Sequence, residues 1–472
     1  MHGYRAPRAF DGERFLPGGA LVLVEGRTVV GIEPGTAPAP DGCAVTDVPD
    51  GTMLPGLVDS HVHLCADAGP RALEQVPELD AAQLDAVITG AGQETLRAGV
   101  TAVRDLGDHH WAVLERARHD GAGPTVVAAG PPITSPGGHC WSMGGETAGV
   151  EALRRAMRER AERGAGVVKV MASGGVMTPG TDLAACQFTL EELRALVDEA
   201  HRRGLPLTAH AHGLAAVEQS VAAGVDGIEH CSCLTAEGPV LPPGLGAALA
   251  AGRIDVCPTV GFRPGVDPPP HVQARMAAVG ATVEQHLAHV ARLHRAGVAL
   301  LAGTDAGIGP NKRHGQVAHA VADLVGCGVP LIEALHAATA RAARACGLGG
   351  RTGRLAAGLD ADLLVADGDL TADVTGLQRP RLVVSRGREV ELGRQARAST
   401  ASRAASASVR SPSRTPARVS RSTRPGAGGS DWREGTPSTV APAASPAVAP
   451  ATESSTTTQP LASTPSSDIA CR

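Results

Sequence analysis

The sequence predicts an α/β fold: a (β/α)8 barrel with a small β-domain assembled from both of its flanks. Three observations carry this. Short apolar runs recur eight times, at Gly56–Val62, Val100–Leu106, Pro124–Ala129, Val167–Met171, Pro206–Ala211, Val225–Glu229, Ile254–Pro258 and Val298–Gly303. Helix-like stretches lie between most of them. Shorter β runs stand before the first and after the last.

The clearest helical stretch is Leu190–Arg203. Leu193, Leu196, Val197 and Ala200 form an apolar stripe, Thr189 and Glu192 a capping box, and Gly204 the stop. Glu151–Arg163 repeats the design and stops at Gly164. On the flanks, Ala20–Val24 and Thr28–Gly31 are β runs separated by Glu25-Gly26-Arg27, and 361–366 and Arg381–Val384 are β runs too. Pairing across the two ends gives residues 1–54 as the first part of the β-domain, 55–354 as the barrel and 355–393 as the second part. Residues 394–472 are Ser/Thr/Ala/Pro-rich with no hydrophobic period, and are expected to be a disordered tail.

With 43 % hydrophobic and 19 % charged residues the chain can bury a core, but only 2 % are aromatic. Core volume must come from Ala, Val and Leu. No apolar run reaches the ~18–20 residues of a membrane span. Met1-His2-Gly3-Tyr4-Arg5 lacks the apolar stretch of a secretory leader. The ten cysteines form no CxxC pair, and Cys231 and Cys233 are too near for an easy bridge. A reducing cytoplasm is the expected location. The net charge of −5 hides a split: ten Arg and four acidic residues follow Gly393, which leaves −11 on the body. That excludes a strongly basic nucleic-acid binder. A homo-oligomer is left open. Of 43 Lys and Arg, two are lysine: Lys169 and Lys312.

Catalytic groups of such a barrel sit at the C-terminal ends of its strands. The first run ends in His61-Val62-His63, two histidines on one side of an extended chain. The fourth holds Lys169, the fifth ends in His210-Ala211-His212, the sixth in His230 and the eighth leads to Asp305. A lone histidine at a strand end is ordinarily structural; six polar groups at successive ends are a site. Imidazoles and a carboxylate suit Zn²⁺, and also Mn²⁺ or Fe²⁺. Two divalent ions among four neutral histidines and one aspartate would leave excess positive charge. A lysine there would lose its proton, and its amine can add CO2 to give a bridging carbamate. Arginine cannot, because it stays charged.

These residues resemble the amidohydrolase superfamily. The resemblance rests on 54–63, ending in His61-Val62-His63; on Pro132–Glu146 with Gly137-Gly138-His139; on 169–175 and 209–213; and on Gly227-Ile228-Glu229-His230 and Ala302-Gly303-Thr304-Asp305. It spans roughly residues 10–392 and is strongest with the imidazolonepropionase-related, Xaa-Pro dipeptidase-like branch. It implies that the β-domain is a β-sandwich, with 358–365 as its return strand. It implies that His61 and His63 bind one metal with Asp305, that His210 and His230 bind a second, and that Lys169 bridges them as carbamate. Imidazolonepropionases usually lack that lysine, so Lys169 points to the binuclear branch. Relatives of this kind often place a tyrosine near the substrate carboxylate; the single tyrosine here is Tyr4, and Arg263, next to Phe262, is the expected replacement.

The implied reaction is hydrolysis of an amide C–N bond in a dipeptide or N-acyl amino acid. A metal-bound hydroxide, its pKa lowered toward ~7, is the nucleophile. Asp305 is the proton shuttle, first base and then acid. His139 and His212 are expected at the substrate, Arg104-Asp105 as a structural ion pair, and Cys140 and Cys186 as buried spectators. A cyclic-amide hydrolase or deaminase on the same scaffold is the alternative, and a non-catalytic ligand-binding barrel a third reading.

Overall fold

The computed structural model describes residues 1–119 and 121–393. The tail expectation at 394–472 therefore lies outside the described residues. The architecture is mixed α/β. Seven of the eight apolar runs are strands: β1 (Leu57–Val62), β2 (Val100–Asp105), β3 (Thr125–Ala128), β4 (Val168–Met171), β5 (Leu207–Gly213), β6 (Gly227–Thr235) and β7 (Asp255–Cys257). The first three pair in parallel, and so do the last four. Between β3 and β4 single contacts replace a ladder. Gly166 N donates to Ala128 O at 3.1 Å, and Ile133 N to Lys169 O at 2.8 Å.

The eighth run, 298–303, is not a regular strand. Leu300 makes one parallel bridge to Val256 in β7. On its other side, Ser60 N donates to Ala302 O at 3.1 Å and Asp305 N to His61 O at 2.8 Å. The segment thus fills the gap between β7 and β1. It falls short of a ladder because Ala302 N is taken by Ala337 O, at the end of a helix, at 2.9 Å.

The capped helix forms as expected, at Leu190–Arg202. Thr189 Oγ1 accepts from Glu192 N at 3.2 Å and Glu192 Oε2 from Thr189 N at 2.8 Å, and its Leu193, Leu196, Val197 and Ala200 are buried. The main core is built largely of Val, Leu and Ala. No helix among the described residues is long and apolar enough to cross a membrane.

Strands of the two flanks meet through Gly51–Pro55, a strand not among the early β runs expected from the sequence. Leu363–Asp367 runs antiparallel to Gly51–Pro55, with Leu363 opposite Pro55. These two are central in a six-stranded sheet that also holds Pro380–Ser385 and Arg8–Phe10. A second sheet holds four strands, with Ala20–Glu25 between Thr28–Pro34 and His2–Ala6. One hydrophobic cluster joins the two sheets, with Tyr4 and Val22 from one, and Met53, Leu363 and Val384 from the other. Pro55 then leads through Gly56 straight into β1, so early and late chain together anchor the strand that ends at His61.

Packing at the closing segment leaves no room for a side chain at Gly303. A Cβ there would lie 2.5 Å from Cys257 Sγ, 2.6 Å from Ser60 Oγ and 3.0 Å from His61 N. Gly303→Ala should therefore lower stability by about 1–3 kcal/mol, the range for overpacking. Gly90 sits in the helix Ala81–Arg97 with nothing within 4 Å of its missing Cβ, so Gly90→Ala should raise stability by about 0.5–1 kcal/mol. Urea denaturation of both variants checks the opposite signs.

Candidate metal centre

His61 is in β1 and His63 directly follows its end, so their rings share one side, 5.3 Å apart between centroids. His61 Nδ1 lies 2.8 Å from Glu229 Oε2, and His63 Nδ1 lies 3.0 Å from Gly107 O. Both partners only accept, so both Nδ1 atoms carry hydrogen. The other ring nitrogens turn to one atom. Asp305 Oδ1 is 3.3 Å from His61 Nε2 and 3.2 Å from His63 Nε2. Three lone pairs thus converge in a buried place, an arrangement that needs a cation or a proton between them. Burial, reinforced by the nearby Lys169 charge, lowers the His61 pKa to about 4. At His63 burial acts the same way, but the Asp305 oxygen outweighs it and raises the pKa. The Asp305 carboxyl is held well below its usual range, because His61 and His63 outweigh its burial.

A second group forms beside the first. His210 and His212 lie in β5 and His230 in β6, and one ring nitrogen from each comes within 4.8 Å of the others. His210 Nε2 is 3.1 Å from Gly174 O, so it donates, and its Nδ1 is left bare. His230 Nδ1 meets Thr259 Oγ1 at 2.8 Å and His212 Nδ1 meets Ser232 Oγ at 3.0 Å. Burial pushes His210 and His230 well below the ordinary histidine range and His212 to about 4. Neutral rings have lone pairs to offer. The two groups adjoin, with the His61 and His230 rings 5.4 Å apart. Lys169, 1 % exposed in β4, lines the same pocket. Its ammonium has no hydrogen bond among the described residues, and burial lowers its pKa. The donor set fits two divalent cations: each group gathers three candidate ligand atoms, all from buried residues but for the half-buried His212.

The structure changes several sequence expectations. His212 is inside β5, which runs on to Gly213, and its ring stacks on His230 at 4.5 Å. His230 is not the end of its strand. It has φ +66°, and the pairing of β5 with β6 shifts register just beyond it. Asp305 also has a left-handed backbone, at φ +58°. His139 does reach the pocket, its Nδ1 2.8 Å from Thr178 Oγ1. Gly175 makes room for it, since a Cβ there would lie 2.3 Å from His139 Nε2. Arg263 does not reach the pocket. It is exposed, with its backbone N–H donating to Asn311 O at 3.1 Å, and the neighbouring Phe262 lines the pocket instead. Arg104 does not pair with Asp105. It pairs with Glu229 at 2.9 Å and donates to Ser60 O at 2.8 Å, while Asp105 accepts from Leu64 N at 2.7 Å. Cys140 is buried, its pKa pushed up to about 12 by desolvation, but Cys186 is exposed.

Two residues were passed over as functional candidates. Glu229 is buried and bonded to His61, Arg104 and Thr208. The signal was a carboxylate inside the apolar run Gly227-Ile228-Glu229-His230. Lys312 lines the pocket with its Nζ 2.6 Å from Thr259 O. The signal was lysine in a chain that otherwise uses arginine. The other walls are largely apolar, including Met171, Leu183, Val272 and Met276.

Glu229 fixes the tautomer and orientation of His61. Glu229→Gln should weaken metal retention by ~10–100-fold, the usual cost of losing such a partner; competition with a chelator checks this. A second expectation concerns the metal-free protein. His139 and His212 have folded-state pKa values of about 3 and about 4, against 6.5 for an exposed histidine, and burial is the main cause in both. Between pH 6.5 and about 4 the unfolded chain takes up protons that the folded chain refuses. Stability of the chelator-treated protein should therefore fall as pH drops through that window. A melting temperature that stays flat there would contradict this.

Comparison with known proteins identifies the family. The model of the amidohydrolase family matches residues 52–390. Ochratoxinase from Aspergillus niger is 30 % identical over 367 residues, 70 % of this chain and 73 % of that one. Among solved structures, a Xaa-Pro dipeptidase with bound methionine superposes with a TM-score of 0.72 at 24 % identity, covering 83 % of this chain and 99 % of that one. A prolidase complexed with N-methylphosphonate-L-proline gives 0.70 at 25 % identity, with the same coverage of 83 % and 99 %. The chain belongs to the amidohydrolase family of metal-dependent hydrolases acting on carbon–nitrogen bonds.

Proposed function

We propose that this protein is a binuclear amidohydrolase that cleaves the amide bond of a dipeptide or an N-acyl amino acid. In this reading residues 55–354 form a (β/α)8 barrel, and 1–54 with 355–393 form a β-sandwich. His61, His63 and Asp305 would hold one Zn²⁺, His210 and His230 the other, and Lys169 as a carbamate would join them. The observation that carries the reading is the convergence of His61 Nε2, His63 Nε2 and Asp305 Oδ1 beside the three-histidine group. Similarity to an ochratoxinase and to prolidases supports the choice of an amide substrate.

Divalent metal in this site supplies water activation at neutral pH and polarisation of the scissile carbonyl. The chain's own residues do the rest. Asp305 Oδ accepts the proton of the attacking water and delivers it to the leaving nitrogen. Glu229 holds His61 in the tautomer that presents Nε2, and Gly107 O does the same for His63. Thr259 and Ser232 orient His230 and His212. His139, next to the His210 ring at 4.5 Å, is placed to donate to substrate oxygen. The largely apolar walls exclude bulk water, which strengthens each of these polar interactions.

Hydrolysis of a panel of dipeptides and N-acyl amino acids by the zinc-loaded protein tests the reading, with metal analysis expected to give two equivalents. Asp305→Asn keeps size and one coordinating oxygen but cannot carry a proton. Its turnover should fall ~10²–10⁴-fold, the scale of lost acid–base catalysis, while metal content largely survives. Lys169→Ala should lose activity that small carboxylic acids partly restore. Full turnover by a metal-replete Asp305→Asn variant would remove Asp305 from the proton path, and full turnover by Lys169→Ala would remove the carbamate.

A further inference from the structure

Lys312 is 5 % exposed and lines the pocket. Its Nζ donates to Thr259 O at 2.6 Å and to Val260 O at 3.3 Å, and stands 3.7 Å from the centroid of the Phe262 ring. An ammonium has three N–H donors, so one remains after the two carbonyls. No carboxylate lies within ion-pair distance of Nζ among the described residues. A buried cation held by two carbonyls and one ring face, with no anion paired to it, is only partly compensated for its lost hydration. Burial accordingly lowers its pKa to about 8, which still leaves it mostly protonated at neutral pH.

The rest of the pocket sharpens this. Asp305 is the acid among its lining residues and is already committed to His61 and His63. No arginine lines it, and Lys169 is committed to the metal groups in the reading above. Lys312 is therefore the cation left for a ligand. It is held rigidly: Lys312 N donates to Gly309 O at 2.8 Å and Lys312 O accepts from Gly307 N at 2.8 Å. The ring of Phe262 lies against its Nζ, and Val272, Met276 and Ile308 line the same pocket.

We propose that Lys312 is the specificity-determining residue that binds a substrate carboxylate, and that the apolar wall beside it takes a bulky hydrophobic group on the same half of the molecule. The inference rests on the hydrolase reading and names its substrate class: amides in which a carboxylate and a large apolar substituent are neighbours, as in N-acyl derivatives of hydrophobic amino acids. The charge of Lys312 faces the anion, and its carbonyl contacts hold the ammonium in place.

A purely structural Lys312 would only tie down Thr259 and so support His230. The test separates the two roles by binding rather than turnover. Calorimetry on the zinc-loaded full chain compares N-acetyl-L-phenylalanine with N-acetyl-L-phenylalaninamide. The parent protein should prefer the carboxylate by about tenfold or more, the scale of one charge-assisted hydrogen bond. Lys312→Gln keeps an amide that can donate to Thr259 O but removes the charge; Lys312→Met is a second variant should the first fail to fold. Either should bring the two ligands within about threefold of each other while zinc content is unchanged. Three results would overturn the proposal: no preference in the parent, a preference that persists in the variants, or equal loss of both ligands together with loss of zinc. Failure to hydrolyse any amide would refute the hydrolase reading and leave this binding comparison standing.

Discussion

The buried carboxylate of Glu229 is the interaction on which the rest of the site depends. It stands in β6, yet its partners come from three other strands. His61 of β1 meets one oxygen, while Arg104 of β2 and Thr208 of β5 meet the other, at 2.9 and 2.6 Å. Arg104 continues to Ser60 O, back in β1. Removing one partner from such a buried pair typically costs about 3–5 kcal/mol. Burial alone would favour the neutral acid, but the Arg104 charge and His61 hold Glu229 well below its usual range. The same contacts that keep the carboxylate ionised fix the His61 ring, so strand packing and ligand orientation are one problem with one solution.

Asp59, two residues before His61 in β1, plays a matching part. It accepts from Thr304 N at 3.0 Å, Thr304 Oγ1 at 2.6 Å and His61 N at 3.2 Å. Asp305 follows Thr304 directly and has a left-handed backbone, which costs a non-glycine residue of order 1–3 kcal/mol. The Thr304 anchor holds that conformation and aims the Asp305 carboxylate at His61 and His63. His230 has the same backbone strain, and Thr259 steadies its ring. Both of these residues line the pocket, and the hydrogen bonds named here hold each in its strained conformation.

Much of this was legible in the sequence. The capping box at Thr189 and Glu192, the apolar runs and the histidines that follow them are local signals, and the fold obeys them. That early and late β runs belong to one region was legible too, but the ladder that joins them uses Gly51–Pro55, while Ala20–Glu25 and Thr28–Pro34 pair with each other in the second sheet. What could not be read were partners fixed by three-dimensional packing. Arg104 sits next to Asp105 in sequence, but neighbours in a strand point to opposite faces, and the arginine found Glu229 instead. Arg263 stands in the loop after β7, where the pocket opens, but successive residues of an extended segment face opposite ways, and Phe262 took the inward place. The eighth run lacked a ladder because a helix end claimed one of its N–H groups.

The placement of the two lysines has a consequence for the chemistry of the whole surface. Both are almost fully buried in one pocket, and the sequence contains no others. The side chains on the outside of the protein thus offer arginine guanidinium and no lysine ammonium. Reagents that acylate or crosslink primary amines will find almost nothing on the exterior. Their reaction inside the chain becomes a direct report on whether the pocket is filled. A chain whose two lysines are both buried in one pocket has in effect kept lysine amines off its exterior.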